Sequence, residues 1–296
     1  MPPDLRPTWL RLRLGVSGHS HAHPRHLGLD ANLGVPLRFP AGWALIEHPR
    51  HGPILFDCGY GAAARTAMQR GLRSIYRRVV GACCQVQADP SRLLADHGIS
   101  AAEVRTVVLS HFHPDHVGGL REFSAARCIV HHDAWKQVRE GCWLGLLHAQ
   151  IWRELLPADL EARLRVLDAQ NQLPLPGALA LFGKGWDLFD DGSVIAFELP
   201  GHAAGQLGLS LDIDGERVLL VADAFWRREQ LDHPRAPPWW TRLLAIRNGR
   251  AYVRTLRTLR RFRDDNPDAW IIPAHCAGTL EAWRQRHPDG VLGMPD

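Results

Sequence analysis

Seven consecutive residues, Ser110-His111-Phe112-His113-Pro114-Asp115-His116, constrain this chain more than any other stretch. They close an apolar, β-branched run, Val104–Ser110, that reads as a buried strand, and they precede Val117-Gly118-Gly119-Leu120. Four metal-competent side chains therefore fall within six residues. His111 and His113 are two apart, so on extended backbone they face the same side. Asp115 and His116 sit where the chain turns into a helix. A loop at the C-terminal end of a strand can aim all four groups into one pocket. Burying three imidazoles and a carboxylate together without a metal is costly. Imidazole with carboxylate suits zinc, iron or manganese better than calcium.

Three later segments repeat the device. Leu199-Pro200-Gly201-His202, Leu220-Val221-Ala222-Asp223 and Ile272-Pro273-Ala274-His275 are each an apolar run that stops at one metal-competent side chain. Any one of them alone would read as a cap or turn residue. Following the first motif in order, they form a set.

The surrounding pattern predicts where those strands lie. Trp9–Val16 alternates apolar residues with arginine, as a half-buried strand does. Trp43–Ile46 and Ile54–Phe56 read as a hairpin. Residues 62–98 and 133–165 read as helical, the former broken near Asp89-Pro90, where Asp89 can cap a helix beginning at Pro90. Cys128–His131, Val194–Leu199, Leu207–Leu211 and Val218–Ala222 read as strands, the last two joined by a D-G turn. Residues 232–241 form a Pro- and Trp-rich loop. In Ala251–Phe262 an apolar stripe (Val253, Leu256, Leu259, Phe262) alternates with arginines that read as a solvated helix back. Ile271–Ile272 is the last predicted strand, and a final helix starts near Thr279. The expectation is one α/β domain over residues 1–296.

Composition narrows the class of protein. At 296 residues and 46% hydrophobic content the chain can bury a sizeable core. No run of about 18 apolar residues exists for a membrane span. The N-terminal apolar run is interrupted by arginines, unlike a signal-peptide core. Of the 35 Lys+Arg residues only Lys136 and Lys184 are lysine, yet the net charge is +4. That balance gives no reason to expect nucleic acid as a partner. The six cysteines (Cys58, Cys83, Cys84, Cys128, Cys142, Cys276) form no C-x-x-C pair. They read as reduced thiols, and the expected location is cytoplasmic with no membrane partner.

The ordered set H-x-H-x-D-H, P-G-H, strand-ending Asp and late His resembles the metallo-β-lactamase superfamily of hydrolases, and Asp57-Cys58-Gly59 within Leu55–Gly61 resembles its D-x-G turn. The resemblance spans roughly residues 40–277 and implies a four-layer αββα sandwich with the site along one edge. It implies one metal held by His111, His113 and His202, a second held by Asp115, His116 and His275, and Asp223 bridging both. The implied cofactors are two divalent ions, zinc foremost, with iron, manganese or cobalt as alternatives. A catalytic site of this kind keeps open positions for water and substrate. It implies Asp115 and Asp223 as catalytic residues, Asp115 orienting the nucleophile or passing a proton to the leaving group.

Within the superfamily the phrase Pro200–Gln206 and the helix running into the last strand are similar to the N-acyl-homoserine lactone lactonases. A small lactone is therefore the expected substrate. The alternatives are a thioester or other ester, as in glyoxalase II, an iron-dependent sulfur oxidoreductase, or a sensor without turnover. One position departs from the lactonases: Trp226 stands where they carry a tyrosine, three residues after the bridging aspartate. Phe225, Trp226, Trp239 and Trp240 are the candidate substrate contacts, and the tryptophan-rich loop hints at a homodimer. His19, His21, His23 and His26 are dense but interrupted by Gly18 and Pro24, and read as a surface loop rather than a metal site. His131 and His132 read as a helix cap or a satisfied polar pair.

Overall fold

The computed structural model describes residues 10–28, 37–83 and 88–292; Trp9 and Cys84 lie outside them. Two mixed sheets pack face to face. The first has seven strands: β1 (Arg11–Ala22), β2 (Leu37–His48), β3 (Gly52–Phe56), β4 (Thr106–Val108), β5 (Arg127–His131), β6 (Leu164–Leu167) and β13 (Val291–Leu292), in the order β13-β1-β2-β3-β4-β5-β6. The second has six: β7 (Leu173–Pro174), β8 (Lys184–Asp187), β9 (Val194–Glu198), β10 (Leu207–Ile213), β11 (Glu216–Ala222) and β12 (Trp270–Pro273), in the order β12-β11-β10-β9-β8-β7.

Side-chain alternation builds the layers. Ala44, Ile46, Ile54 and Phe56 of the first sheet face Leu207, Leu209, Leu211, Val218 and Leu220 of the second, in one buried cluster. The odd-numbered neighbours Trp43, Leu45 and Leu55 point outward, under helices α1 (Ala62–Ala67), α2 (Gly71–Val80), α3 (Pro90–Ala95), α4 (Pro114–Val117), α5 (His132–Glu140) and α6 (Trp143–His148). On the other side Leu219 and Val221 meet Leu256, Leu259 and Phe262. These come from α9 (Gly249–Asp265), which follows α7 (Glu229–Asp232) and α8 (Trp239–Ala245); α10 (Ala277–Arg286) buries Trp283 between the sheets. The expected αββα sandwich is observed.

Some local expectations need correction. Residues 133–165 are α5 and α6 followed by 3-10 turns and β6, not continuous helix. Trp152, Leu155 and Leu160 are buried there because the irregular chain folds across the sheet. The loop at 232–241 already contains the start of α8. His19 and His21 lie on the long β1 rather than in a loop, and His23 caps the 3-10 turn Pro24–Leu27. Asp89 does stand at the N-cap of α3, but its carboxylate takes a bidentate pair from Arg65 (2.7 and 2.9 Å) instead of the helix N–H groups. His131 caps α5, its Nδ1 accepting the Asp133 N–H at 3.0 Å.

Candidate metal centre

Each candidate side chain leaves the C-terminal end of a strand or the loop after it. β3 and β4 are parallel; β11 and β12 are parallel, and β9 shares their direction because both β9 and β11 pair antiparallel with β10. The loops after β3, β4, β9, β11 and β12 therefore gather on one edge. Backbone bonds join the two sheets there: Leu207 N–H donates to Ser110 O (3.0 Å) and Gly42 N–H to Ala274 O (3.1 Å). Among the described residues five non-glycines have positive φ, and two of them, Asp57 (63°) and Ala222 (45°), end β3 and β11 beside the cluster. Ala222 turns the chain so that Asp223 points inward. In the P-G-H turn, Gly201 has φ 143° and packs on α9 so closely that a Cβ would lie 2.3 Å from Tyr252 Cα.

The seven expected residues come together in two groups, His111–His113–His202–Asp223 and Asp115–His116–His275; within each group the candidate donor atoms lie within 4.8 Å of one another. Asp223 reaches both. One oxygen is 3.1 Å from His116 Nε2; the other is 3.3 Å from His202 Nε2 and 3.2 Å from His275 Nε2. Asp115 Oδ2 is 3.4 Å from His275 Nε2. His202 Nε2 and His113 Nδ1 are 3.0 Å apart. Donors about 2.0–2.1 Å from a tetrahedral zinc stand roughly 3.3 Å from one another, so these spacings fit.

Outer contacts set which ring nitrogen faces inward. Ser110 donates its N–H (2.8 Å) and its hydroxyl (2.7 Å) to the Asp57 carboxylate. The hydroxyl oxygen then accepts the His111 Nδ1–H at 2.9 Å. That leaves His111 Nε2 as a lone-pair atom, buried and without a partner. His116 donates Nδ1–H to Asp57 at 2.7 Å, and His275 donates Nδ1–H to Pro40 O at 2.6 Å. Both rings thus present Nε2 to the cluster. Such contacts fix tautomer and ring orientation in metal sites. In the sequence Asp57 stands out only as part of a D-x-G turn, and Ser110 only as a flank of the histidine motif. Pro40 lies 235 positions from His275, so no local pattern could have found it.

Electrostatics divides the imidazoles. Burial, with neighbouring imidazoles, holds His111 well below the ordinary histidine range, and burial takes His202 down to about 3. Neutral rings are the metal-ligating form. His116 and His275 are raised: burial opposes their charge, but Asp223 and the other carboxylates facing them outweigh it. Asp223 is depressed; burial works against its charge, and His275, His116 and His202 overcome that. A divalent ion would take the place of those protons.

A third group lies at the opposite end of the sheets, where His48 and His51 at the β2–β3 turn meet Asp191 from the β8–β9 turn. His48 Nδ1 accepts the N–H groups of Arg50 (3.1 Å) and His51 (3.2 Å), so its proton sits on Nε2, which faces Ser193 Oγ at 3.0 Å. Arg50 pairs with Asp191. An N–H cannot ligate, and this cluster locks a turn. The His19–His26 residues form no such group among the described residues.

A cavity of about 280 Å³ opens on Asp115, Asp223, His202 and His275, and its walls include Leu27, Phe39, Val79 and Trp240. Trp226 also lines it, but its indole N–H donates to the Asp223 carboxylate at 3.1 Å. Phe225 packs in the core behind the second sheet, and Trp239 is exposed to solvent. His21 and His26 stand at the cavity's rim.

An αββα sandwich whose strand ends converge on two linked histidine–aspartate clusters defines a metal-dependent hydrolase. The chain belongs to the metallo-β-lactamase superfamily, whose family profile matches residues 40–275. It is 26% identical over 239 residues (78% of this chain, 73% of the relative) to a protein of Mycobacterium tuberculosis named probable metallo-hydrolase Rv2300c. It is 22% identical over 281 residues (90% and 94%) to the N-acyl homoserine lactonase AttM of Rhizobium radiobacter. Among solved structures, an N-acyl homoserine lactone hydrolase with N-hexanoyl-L-homoserine at its metal centre superposes with a TM-score of 0.69 at 17% identity, over 93% of this chain and 96% of that one. AidC, described as a dizinc quorum-quenching lactonase, gives 0.62 at 14% identity, over 90% and 88%. No helix among the described residues is long and apolar enough to cross a membrane.

Proposed function

We propose that this protein hydrolyses a lactone, with His111, His113 and His202 holding one divalent ion, Asp115, His116 and His275 a second, and Asp223 bridging them. The observation that carries the reading is the shared carboxylate: Asp223 contacts donors of both groups on the floor of an apolar cavity. When bound, a pair of such ions supplies a water-derived nucleophile at neutral pH and polarises the carbonyl. The residues do the rest. Ser110, Asp57 and Pro40 hold three imidazoles in the required tautomer. The apolar walls exclude water and seat an acyl chain. Asp115, the second carboxylate facing the cavity, takes the proton that the attacking water gives up and passes it to the leaving oxygen. The relatives named as lactonases support a lactone.

A second reading, an acyclic ester or thioester, is favoured by Trp226. Its N–H is turned to Asp223, so it offers no phenolic donor to a substrate carbonyl. Metal content measured beside turnover on lactones, esters and thioesters tests both. The expected result is two metal equivalents, lactone turnover, and a loss of about a thousand-fold in Asp223→Ala. Faster thioester turnover would transfer the proposal to the second reading. One iron per chain with oxygen uptake on persulfides would overturn both.

A further inference from the structure

Among the described residues, two cavities reach the cluster. Beside the apolar one lies a larger cavity of about 600 Å³, and the two meet at His113 and His202. Leu244 and Ala245 line both, so α8 is the partition between them. Gln150 steadies that partition by donating its side-chain amide to Leu244 O.

The larger cavity differs in chemistry. Phe112, Ile151 and Leu243 give it an apolar stem, but Arg242, Arg247 and His148 also face it, and no aspartate or glutamate does. Among the described residues no carboxylate pairs with either guanidinium. Sequence explains why: between Asp232 and Asp264 there are nine arginines and no acidic residue. The backbone N–H of Arg247 donates to His202 O at 3.0 Å, so the segment that carries this cation is tied to a residue of the metal-competent cluster. Guanidinium pairs recognise carboxylates by charge-assisted, often bidentate, hydrogen bonds. A neutral lactone offers them carbonyl acceptors but no charge to match.

We infer that the larger cavity is a second substrate subsite, and that it takes a carboxylate carried on a short apolar stem. The substrate spans the partition, its apolar arm on one side of α8 and its anionic arm on the other. The inference rests on the proposed hydrolytic site as the anchor between the two arms.

Calorimetry on the metal-loaded protein tests it without turnover, using linear dicarboxylates from succinate to suberate and monocarboxylates of matched length. At one length the dicarboxylate should bind at least roughly tenfold tighter than its partner. The doubly substituted Arg242→Gln/Arg247→Gln protein should lose that gap and keep its monocarboxylate affinity; both residues are exposed, so the fold does not depend on them. Equal affinities at every length in the parent protein, or a gap that survives the double substitution, overturns the subsite. A protein that shows the gap but opens no lactone keeps the subsite and loses the lactone reading; one that opens lactones without the gap does the reverse.

Discussion

Asp57 carries more of the site than its place in the sequence suggests. One oxygen accepts the Ser110 N–H; the other accepts the Ser110 hydroxyl and His116 Nδ1–H. Through Ser110 it also sets the His111 tautomer. Asp57→Asn keeps the shape and tolerates the left-handed backbone at φ 63°, but it presents an N–H where an acceptor is needed. Metal affinity should fall by roughly 10- to 100-fold, measured by competition with a chromophoric chelator. Parent-like affinity in that variant would remove Asp57 from the positioning network. The ligand candidates were legible because metal chemistry demands particular side chains at short spacing, and H-x-H-x-D-H meets that demand locally. The supporting contacts were not, because a carbonyl such as that of Pro40 carries no residue identity.

At the level of elements, periodicity was informative where one face is buried and the other is not. α9 shows it: Leu256, Leu259 and Phe262 are fully buried, while Arg261 is exposed and pairs with Asp265 at 3.5 Å. Phe262→Ala should cost about 3–5 kcal/mol, and Arg261→Ala within about 0.5 kcal/mol, both read from denaturant midpoints. Comparable losses at the two positions would contradict the assignment of the arginine face to solvent. β7 (Leu173–Pro174) and β13 (Val291–Leu292) have two residues each and no readable period. β8, Lys-Gly-Trp-Asp, shows no clear apolar alternation, and its place in the sheet is set by pairing with β9.

On the scale of the molecule, the cluster draws on both sheets. His111, His113, Asp115 and His116 follow β4 of the first; His202, Asp223 and His275 follow β9, β11 and β12 of the second. A ligand that binds only the folded state adds its binding free energy to stability. Removing metal with a chelator should lower the melting temperature by roughly 5–10 °C, followed by calorimetry, and restoring it should recover the loss. No shift would mean that the seven side chains hold nothing tightly.

The placement of those donors has a consequence for how the chain comes apart. Nearly all of the first sheet is drawn from the N-terminal part of the sequence and the second from the C-terminal part, so an ion seated between them would be a rivet through two separately contributed plates. Peeling either plate away tears the rivet out, and with it the chemistry. Loss of cohesion would then carry the activity away with it.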